Sequence, residues 1–338
     1  MKQGELSFIG RTVGGAVRSV GGGCVHRNLF EDSIALKNLL AAWREFVKGK
    51  RKRADVLAFA ADVEEALFRL HDELKQGTYR HGGYETFLVR DPKLRRIHKA
   101  SVRDRLLHHA IHRVLYPHFD TRFIFDSYSS RKGKGAHAAL KRFRDFAWRL
   151  SQNRTRVVWV LKADIRRFFD SVRHSELRAL LEKNLPRDRK LHALLGEVIQ
   201  SFNTLSGTGI PLGNLTSQLF SNVYLHPLDQ FVKRELGVQH YIRYADDMIF
   251  LSADKDALEK TFSRVRDFLH DTLALELHPA KTELRKWQSG VDVLGFISYP
   301  SKTIMRPKTR KRMLRRLAGA GDFEAQENAL YSRMKFER

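Results

Sequence analysis

One cysteine, Cys24, occurs among 338 residues. No internal disulfide framework can form, and a lone thiol cannot by itself build a zinc site. That usage fits a reducing cytosol, so a cytoplasmic location is expected. No apolar run approaches the ~18 residues of a membrane span, so no membrane partner is expected. The leader from Met1 to Val25 lacks the continuous apolar core of a secretory signal. Being Gly-rich and basic, residues 1–30 read as a flexible arm, with ordering on nucleic acid as one option. Acidic residues are scarce beside basic ones: 38 Asp and Glu against 62 Lys and Arg leave a net charge of +24. Such an excess points to a polyanionic partner bound mainly through phosphates and therefore sensitive to salt. A merely soluble basic surface is the bland alternative. The hydrophobic fraction of 42% excludes wholesale disorder. The length allows two or three packed subdomains, and with no repeat or long linker these should share one body.

Leu36, Leu39, Leu40, Trp43, Phe46 and Val47 recur at helical spacing and predict an amphipathic helix over 35–48. It runs into Lys48-Gly49-Lys50-Arg51-Lys52-Arg53, which reads equally as a solvated loop or as a clamp on a phosphate backbone. A second helix over about 55–75 aligns Leu67, Leu70 and Leu74 and stops at Gly77. From Tyr84 the pattern turns extended: Thr86-Phe87-Leu88-Val89, the turn Asp91-Pro92, then the basic Lys93-Leu94-Arg95-Arg96-Ile97. A helix over about 102–116 carries Leu106, Leu107, Ala110, Ile111, Val114 and Leu115 on one side. Strand and helix are expected to alternate through 175–200, followed by a helix at 255–272. The segment 302–316 gathers Lys302, Arg306, Lys308, Arg310, Lys311, Arg312, Arg315 and Arg316 around Met313, Leu314 and Leu317. It reads as a helix whose basic face suits a duplex backbone.

Tyr244-Ala245-Asp246-Asp247 is the most informative stretch. It lies between His240-Tyr241-Ile242-Arg243 and Met248-Ile249-Phe250-Leu251, a strand, tight turn, strand pattern. Apolar flanks bury the strands, so the acidic pair must project from the turn. Two carboxylates forced together repel each other unless a cation neutralises them, which makes the pair a hard-cation site. Asp164 has a matching context: it ends the run Val157-Val158-Trp159-Val160-Leu161 and precedes Ile165-Arg166-Arg167-Phe168-Phe169. One Asp after a strand and two at a hairpin tip are what two-metal nucleotidyl transfer requires. Asp254 and Asp256 read as solvated loop residues.

These residues resemble the reverse transcriptases of the group II intron, retron and diversity-generating retroelement lineage, most of all the last. The likeness spans roughly residues 30–300, with its motifs in the family's order and spacing. Lys93 to Ile97 and Asp104-Arg105 look like the family's fingers motif, and Ser127-Tyr128-Ser129-Ser130-Arg131-Lys132-Gly133-Lys134-Gly135 like the one after it. Asp164 with Phe168-Phe169 resembles the first palm motif. Gly209-Ile210-Pro211-Leu212-Gly213-Asn214-Leu215-Thr216-Ser217-Gln218 resembles the next, followed by the acidic hairpin, His278-Pro279-Ala280-Lys281 and the primer-grip-like Leu294-Gly295-Phe296. The resemblance implies an α+β right hand: an antiparallel palm sheet backed by helices, mixed fingers and a short helical thumb. After the arm come an N-terminal helical extension at 31–83, fingers at 84–156, a palm at 157–298 that allows a fingers insertion within 175–225, and a short basic thumb at 299–338. Residues 297–338 would suffice for that thumb but not for a maturase domain, an endonuclease or a ribonuclease H.

The implied activity is RNA-directed DNA polymerisation with two Mg²⁺ ions, Mn²⁺ being the alternative. Asp164 and Asp246 should bridge the ions and Asp247 complete the site, with Ile165 a metal contact beside Asp164. Lys281 fits the position from which a Lys protonates the pyrophosphate; a surface Lys is the equal alternative. Lys93 and Arg95 match the family's triphosphate-binding pair, and Arg96 is either a third donor or exposed. Phe169 sits where an aromatic ring leaves no room for a 2′-hydroxyl, while Phe168, opposite on a short strand, is core. Gly213 and Asn214 let backbone approach the nascent base pair. Tyr244 and Ala245 complete the substrate contacts. Leu212 and Gln218 stand where many relatives carry Gln and Pro, so base selection should rest more on shape. That favours an error-prone enzyme of a diversity-generating retroelement, a neutral lineage marker being the alternative. Arg105, Leu294, Gly295, Lys308 and Arg312 are candidate nucleic-acid contacts, and Arg131 either touches template backbone or caps a turn. The implied partners are a template RNA and primer, their RNA–DNA duplex, dNTPs and a small basic oligomeric accessory protein. Competing readings are a retron-like or phage-defence enzyme making a fixed cDNA, and an inactive RNA-binding protein.

Overall fold

The computed structural model describes residues 28–90 and 94–319. The expectation for the N-terminal arm therefore lies outside the described residues, apart from its last few positions. Four helices open the fold: Leu29–Ile34 (α1), Leu36–Phe46 (α2), Ala54–Ala61 (α3) and Val63–Gln76 (α4). The single helix expected over 55–75 is broken at Asp62, whose φ of −121° and ψ of 33° leave the helical region. Gly77 stops α4 as expected, in the left-handed conformation (φ 73°) that caps helix ends.

An antiparallel hairpin follows, Tyr84–Arg90 (β1) and Leu94–Ala100 (β2), with Phe87, Leu88, Val89 and Leu94 exposed around its far end. The long helix Val102–Asp120 (α5) runs through the centre of the larger core. Ser101 caps it by accepting from the Asp104 N–H, and buried Asp104 in turn accepts from the Tyr79 hydroxyl and the Gly82 N–H. The order continues Ala136–Leu150 (α6), Trp159–Asp164 (β3), Phe168–Ser171 (α7), His174–Asn184 (α8), Arg189–Gln200 (α9) and Leu215–Gln230 (α10). Here the expected alternation fails: residues 175–200 hold two helices and no strand, with Leu177, Leu181, Leu191, Leu195 and Ile199 buried at helical spacing. Phe168 and Phe169 also lie on a one-turn helix, not a strand. Phe168 is core all the same.

The central sheet contains β3 with Tyr241–Tyr244 (β4), Asp247–Ser252 (β5) and, after helix Lys255–Leu273 (α11), Glu283–Lys286 (β6). Its order is β4-β5-β3-β6 and every pairing is antiparallel. Both faces are covered. Leu161, Ala163, Tyr241, Met248 and Phe250 point into the large helical core, while Val158, Val160, Ile242, Ile249 and Leu251 point into a second core with α6 and Trp287. The two-residue period of a strand thus explains why Met248-Ile249-Phe250-Leu251 is apolar without interruption. Each such side chain contributes about 1.5–3 kcal/mol of burial, so the sheet's register, and with it the acidic end, is strongly fixed. Asp254 caps α11 through the Ala257 N–H.

A three-stranded antiparallel sheet closes the described chain: Val291–Val293 (β7), Phe296–Ser298 (β8) and Thr303–Met305 (β9), then helix Pro307–Gly319 (α12). The basic segment 302–316 is therefore a strand and then a helix. Thr303 packs inward and Pro307 supplies the fixed φ that starts a helix. Among the described residues no helix is long and apolar enough to cross a membrane.

Candidate active site

Cross-strand register brings the carboxylates together. Asp164 ends β3 directly opposite Asp247, which begins β5, and Tyr244 pairs with Asp247 across a two-residue loop of Ala245 and Asp246. Ala245 takes a φ of 54°. That left-handed conformation costs a non-glycine residue about 1 kcal/mol, and such strain concentrates at functional turns. The chain beyond β3 is laced to the turn: the Ile165 N–H donates to the Asp246 carbonyl at 3.3 Å, and the Asp164 carbonyl accepts from the His278 N–H at 2.7 Å. The short 3₁₀ turn Pro279–Lys281 then delivers the Lys281 ammonium to Asp164 Oδ1 at 2.5 Å.

The electrostatics record the crowding. Burial first, then the charge of Asp164, pushes the Asp246 carboxyl above the usual carboxylate range, while Lys281 and Arg95 pull the other way. The Asp247 carboxyl is pushed up to about 6 by burial and then by Asp246 and Asp164. For Asp247, the folded pKa lies above the ordinary 3.8, so the folded state holds its proton more tightly. Ionising it costs stability; the cost is absent below about pH 4 and complete above about pH 6. Asp247→Asn is expected to match the wild type in stability at pH 4 and to exceed it at pH 7 by on the order of 2 kcal/mol. Chemical denaturation at the two pH values checks this, and identical curves at pH 7 would contradict it.

The other candidates fall into two groups. Near the carboxylates, Arg95 is exposed on β2 and its charge acts on Asp246. Arg96, also exposed, projects from the opposite face of the strand and acts on His98. Lys93 lies outside the described residues. The Phe169 carbonyl accepts from the Ile210 N–H at 2.8 Å, which ties α7 to the 209–218 segment. The Leu212 carbonyl accepts from the His98 N–H at 3.2 Å. Gly213 (φ 124°) lies so close to β2 that an added Cβ would stand 3.4 Å from the His98 carbonyl oxygen. Asn214 is buried and donates to the Tyr84 hydroxyl. Gln218 is exposed on α10, and Tyr244 packs on the second core. Leu294 (φ 50°) and Gly295 (φ 96°) form the β7–β8 turn, where the Gly295 carbonyl accepts from the Arg306 N–H. Lys308 is exposed and Arg312 half-buried on α12.

Two candidates have other work. Arg131 is 7% exposed; its guanidinium binds the Asp120 carboxylate at 2.6 Å and the carbonyls of Ile124 and Ser127. Those contacts are the turn-capping alternative. Arg105 is 13% exposed, paired with Asp55 and set over the Phe46 ring, so it fastens α5 to α3. Nε donates to the Ser101 carbonyl and Nη2 to Asp55, so part of its guanidinium is engaged inside the protein. Sequence reading missed Arg243, fully buried under the acidic turn and paired with Asp229. The signal was present: a charged residue amid the apolar strand Tyr241-Ile242-Arg243-Tyr244 must have a buried partner.

The donor set is chemically right for hard divalent cations: three carboxylates whose mutual repulsion a cation would relieve. Among the described residues, however, no three His, Cys, Asp or Glu side chains are arranged as around a bound ion. With Lys281 on Asp164, the ammonium supplies the neutralising charge.

Residues 89–298 match the family described as reverse transcriptase (RNA-dependent DNA polymerase). Protein YkfC of Escherichia coli is 24% identical over 67% of this chain and 69% of its own length. The group II intron-encoded protein LtrA of Lactococcus lactis is 28% identical over 50% of this chain but only 28% of its own. Among solved structures, apo telomerase from Candida tropicalis superimposes with a TM-score of 0.52 at 12% identity, over 74% of this chain and 51% of that one. The chain thus spans about half the length of that telomerase and less than a third of LtrA.

Proposed function

The chain belongs to the reverse transcriptase family, and on that footing we propose that it is an RNA-directed DNA polymerase that extends a primer along a template RNA. Its fold is the α+β right hand of such polymerases. The observation that carries the proposal is the register that sets Asp164 against Asp247 with Asp246 in the adjoining turn. Asp164, Asp246 and Asp247 would hold the divalent cations, with the Ile165 backbone alongside. Bound Mg²⁺ would lower the pKa of the primer 3′-hydroxyl and neutralise charge on the departing pyrophosphate. Lys281 sets its ammonium against Asp164, where it would serve as the proton donor to the leaving group. Arg95, whose charge acts on Asp246, would offer its planar guanidinium donors to a triphosphate. The test is extension of a DNA primer annealed to RNA, with Mg²⁺ and four dNTPs. Products lengthening with dNTPs support the reading; tight, salt-sensitive RNA binding without extension would leave a binding protein.

Phe169, half-buried on α7 and tied to the start of the 209–218 segment through Ile210, is the residue to exclude a ribose 2′-hydroxyl. Phe169→Val is expected to raise ribonucleotide incorporation relative to deoxynucleotide by roughly 100-fold, as the loss of a steric contact worth about 3 kcal/mol would. Competition assays with dCTP and rCTP measure it, and an unchanged ratio would count against the gate.

Finer still is the reading of an error-prone enzyme serving a diversity-generating retroelement, with template RNA, primer and a small basic accessory protein as partners. It rests on Leu212 and Gln218, which put an apolar side chain and an exposed amide where a hydrogen-bonding Gln and a Pro would stand. Leu212→Gln is expected to narrow the misincorporation spectrum on RNA; sequenced products indistinguishable from wild type would overturn the idea.

A further inference from the structure

We propose that Arg243 is a positioning residue that sets the direction of the Asp246 carboxylate by holding the Ala245 carbonyl, with Asp229 as its counter-ion. The inference rests on the polymerase reading and adds a residue that reading does not use. Arg243 and Asp229 are both 0% exposed. The guanidinium offers five N–H groups. Nε donates to Asp229 Oδ1 at 2.8 Å and Nη2 to Asp229 Oδ2 at 2.7 Å, a bidentate fork. Nη2 also reaches Ser127 Oγ at 3.2 Å, and Nη1 reaches Asn222 Oδ1 and the Ala245 carbonyl, each at 3.1 Å. Every donor is used. The Tyr241 hydroxyl adds a third bond to Asp229 at 3.0 Å.

Four of those five bonds go to scaffold: Asp229 and Asn222 on α10 and Ser127 in the loop before α6. Only the fifth goes to the acidic turn. The Ala245 carbonyl and the Asp246 N–H belong to one rigid peptide plane, so fixing that oxygen fixes the plane from which Asp246 departs. The next peptide is held from the other side, because the Asp246 carbonyl accepts from the Ile165 N–H at 3.3 Å. Asp246 is thereby clamped between Ile165, the residue after Asp164, and Arg243. The left-handed φ of Ala245 makes such a clamp necessary, since an unbraced alanine would relax. A Lys at 243 has no fork and could not hold Asp229 and Ala245 together.

The experiment separates bracing from general stability. In Arg243→Met/Asp229→Leu/Tyr241→Phe both buried charges and the Tyr241 hydroxyl are removed at once, leaving only the neutral Ser127 and Asn222 side chains, a replacement that preserves folding when both charges go together. The variant is expected to unfold cooperatively near the wild-type temperature. Its kcat for primer extension should drop about 100-fold with little change in KM for dNTP, the signature of a misplaced reacting group. Its Mn²⁺ affinity, read by electron paramagnetic resonance without nucleotide, should weaken about tenfold. A folded variant with wild-type kcat and wild-type Mn²⁺ affinity would overturn the proposal. Should the triple variant fail to fold, Arg243→Lys, which keeps the charge beside Asp229, is read by the same two measurements. A wild-type chain that extends no primer would overturn the polymerase reading alone, because the Mn²⁺ comparison still decides whether Arg243 sets the turn.

Discussion

Asp246→Asn is expected to slow primer extension on RNA by roughly three orders of magnitude or more, the loss that follows when several kcal/mol of cation-dependent stabilisation disappear. The same substitution should leave the thermal midpoint unchanged or raise it. Both outcomes have one cause. Asp246 is held near Asp164 and beside Asp247 at a buried sheet end, where burial and Asp164 disfavour its charge. Without a cation that charge is a liability to folding; with one it is a ligand. Asparagine keeps the shape, removes the repulsion and removes the charge a divalent ion needs. Rates from single-turnover extension and a melting curve of the same preparation check the pair of effects. A stable variant retaining near-wild-type rate would mean that the acidic hairpin is not the reacting centre. Loss of both rate and stability would mean that Asp246 is a structural residue.

Asp229→Ala should do the opposite to stability. Asp229 is more deeply buried, at 0% exposure, yet its neighbour is the Arg243 guanidinium rather than other carboxylates. Removing one member of a buried, hydrogen-bonded pair strands the other charge and costs about 3–5 kcal/mol. Against a typical total of about 5–15 kcal/mol that is a large fraction, and the thermal midpoint should fall by roughly 10 °C. Two aspartates in one protein, close to the same hairpin, are thus predicted to respond with opposite signs. A melting temperature within a degree or so of wild type for Asp229→Ala would show that the Arg243 charge finds other compensation.

Much of the site was legible because its elements are short-range and periodic. The strand Val157 to Leu161, the hairpin around Asp246 and the helix ending at Gly77 each announce themselves in hydrophobic spacing and turn chemistry, and the register of β3 against β5 follows from burying both faces. Three things were not legible. The break at Asp62 and the strand Thr303–Met305 sit in segments whose apolar spacing fits a helix as well, and tertiary packing decides between them. The occupations of Arg131 and Arg105 depend on Asp120 and Asp55, partners that no spacing rule supplies. On a chain with net charge +24, a basic residue invites a nucleic-acid reading, and only contacts show which ones are spent internally. Of the Arg243 pair only half was legible: a charge inside an apolar strand calls for a buried partner, but that partner, Asp229, lies on a helix at no spacing the sequence could supply.

The central claim is that Asp164 and Asp246, distant in sequence and brought together by the β3–β5 register and the Ile165–Asp246 hydrogen bond, act as one reacting unit. A double-mutant cycle of Asp164→Asn and Asp246→Asn in single-turnover extension on RNA tests it most directly. If they are one unit, either substitution alone removes nearly all the activity and the double variant is scarcely slower than each single one. Losses that multiply, or an Asp164→Asn enzyme that still extends primer at near wild-type rate, would contradict the account.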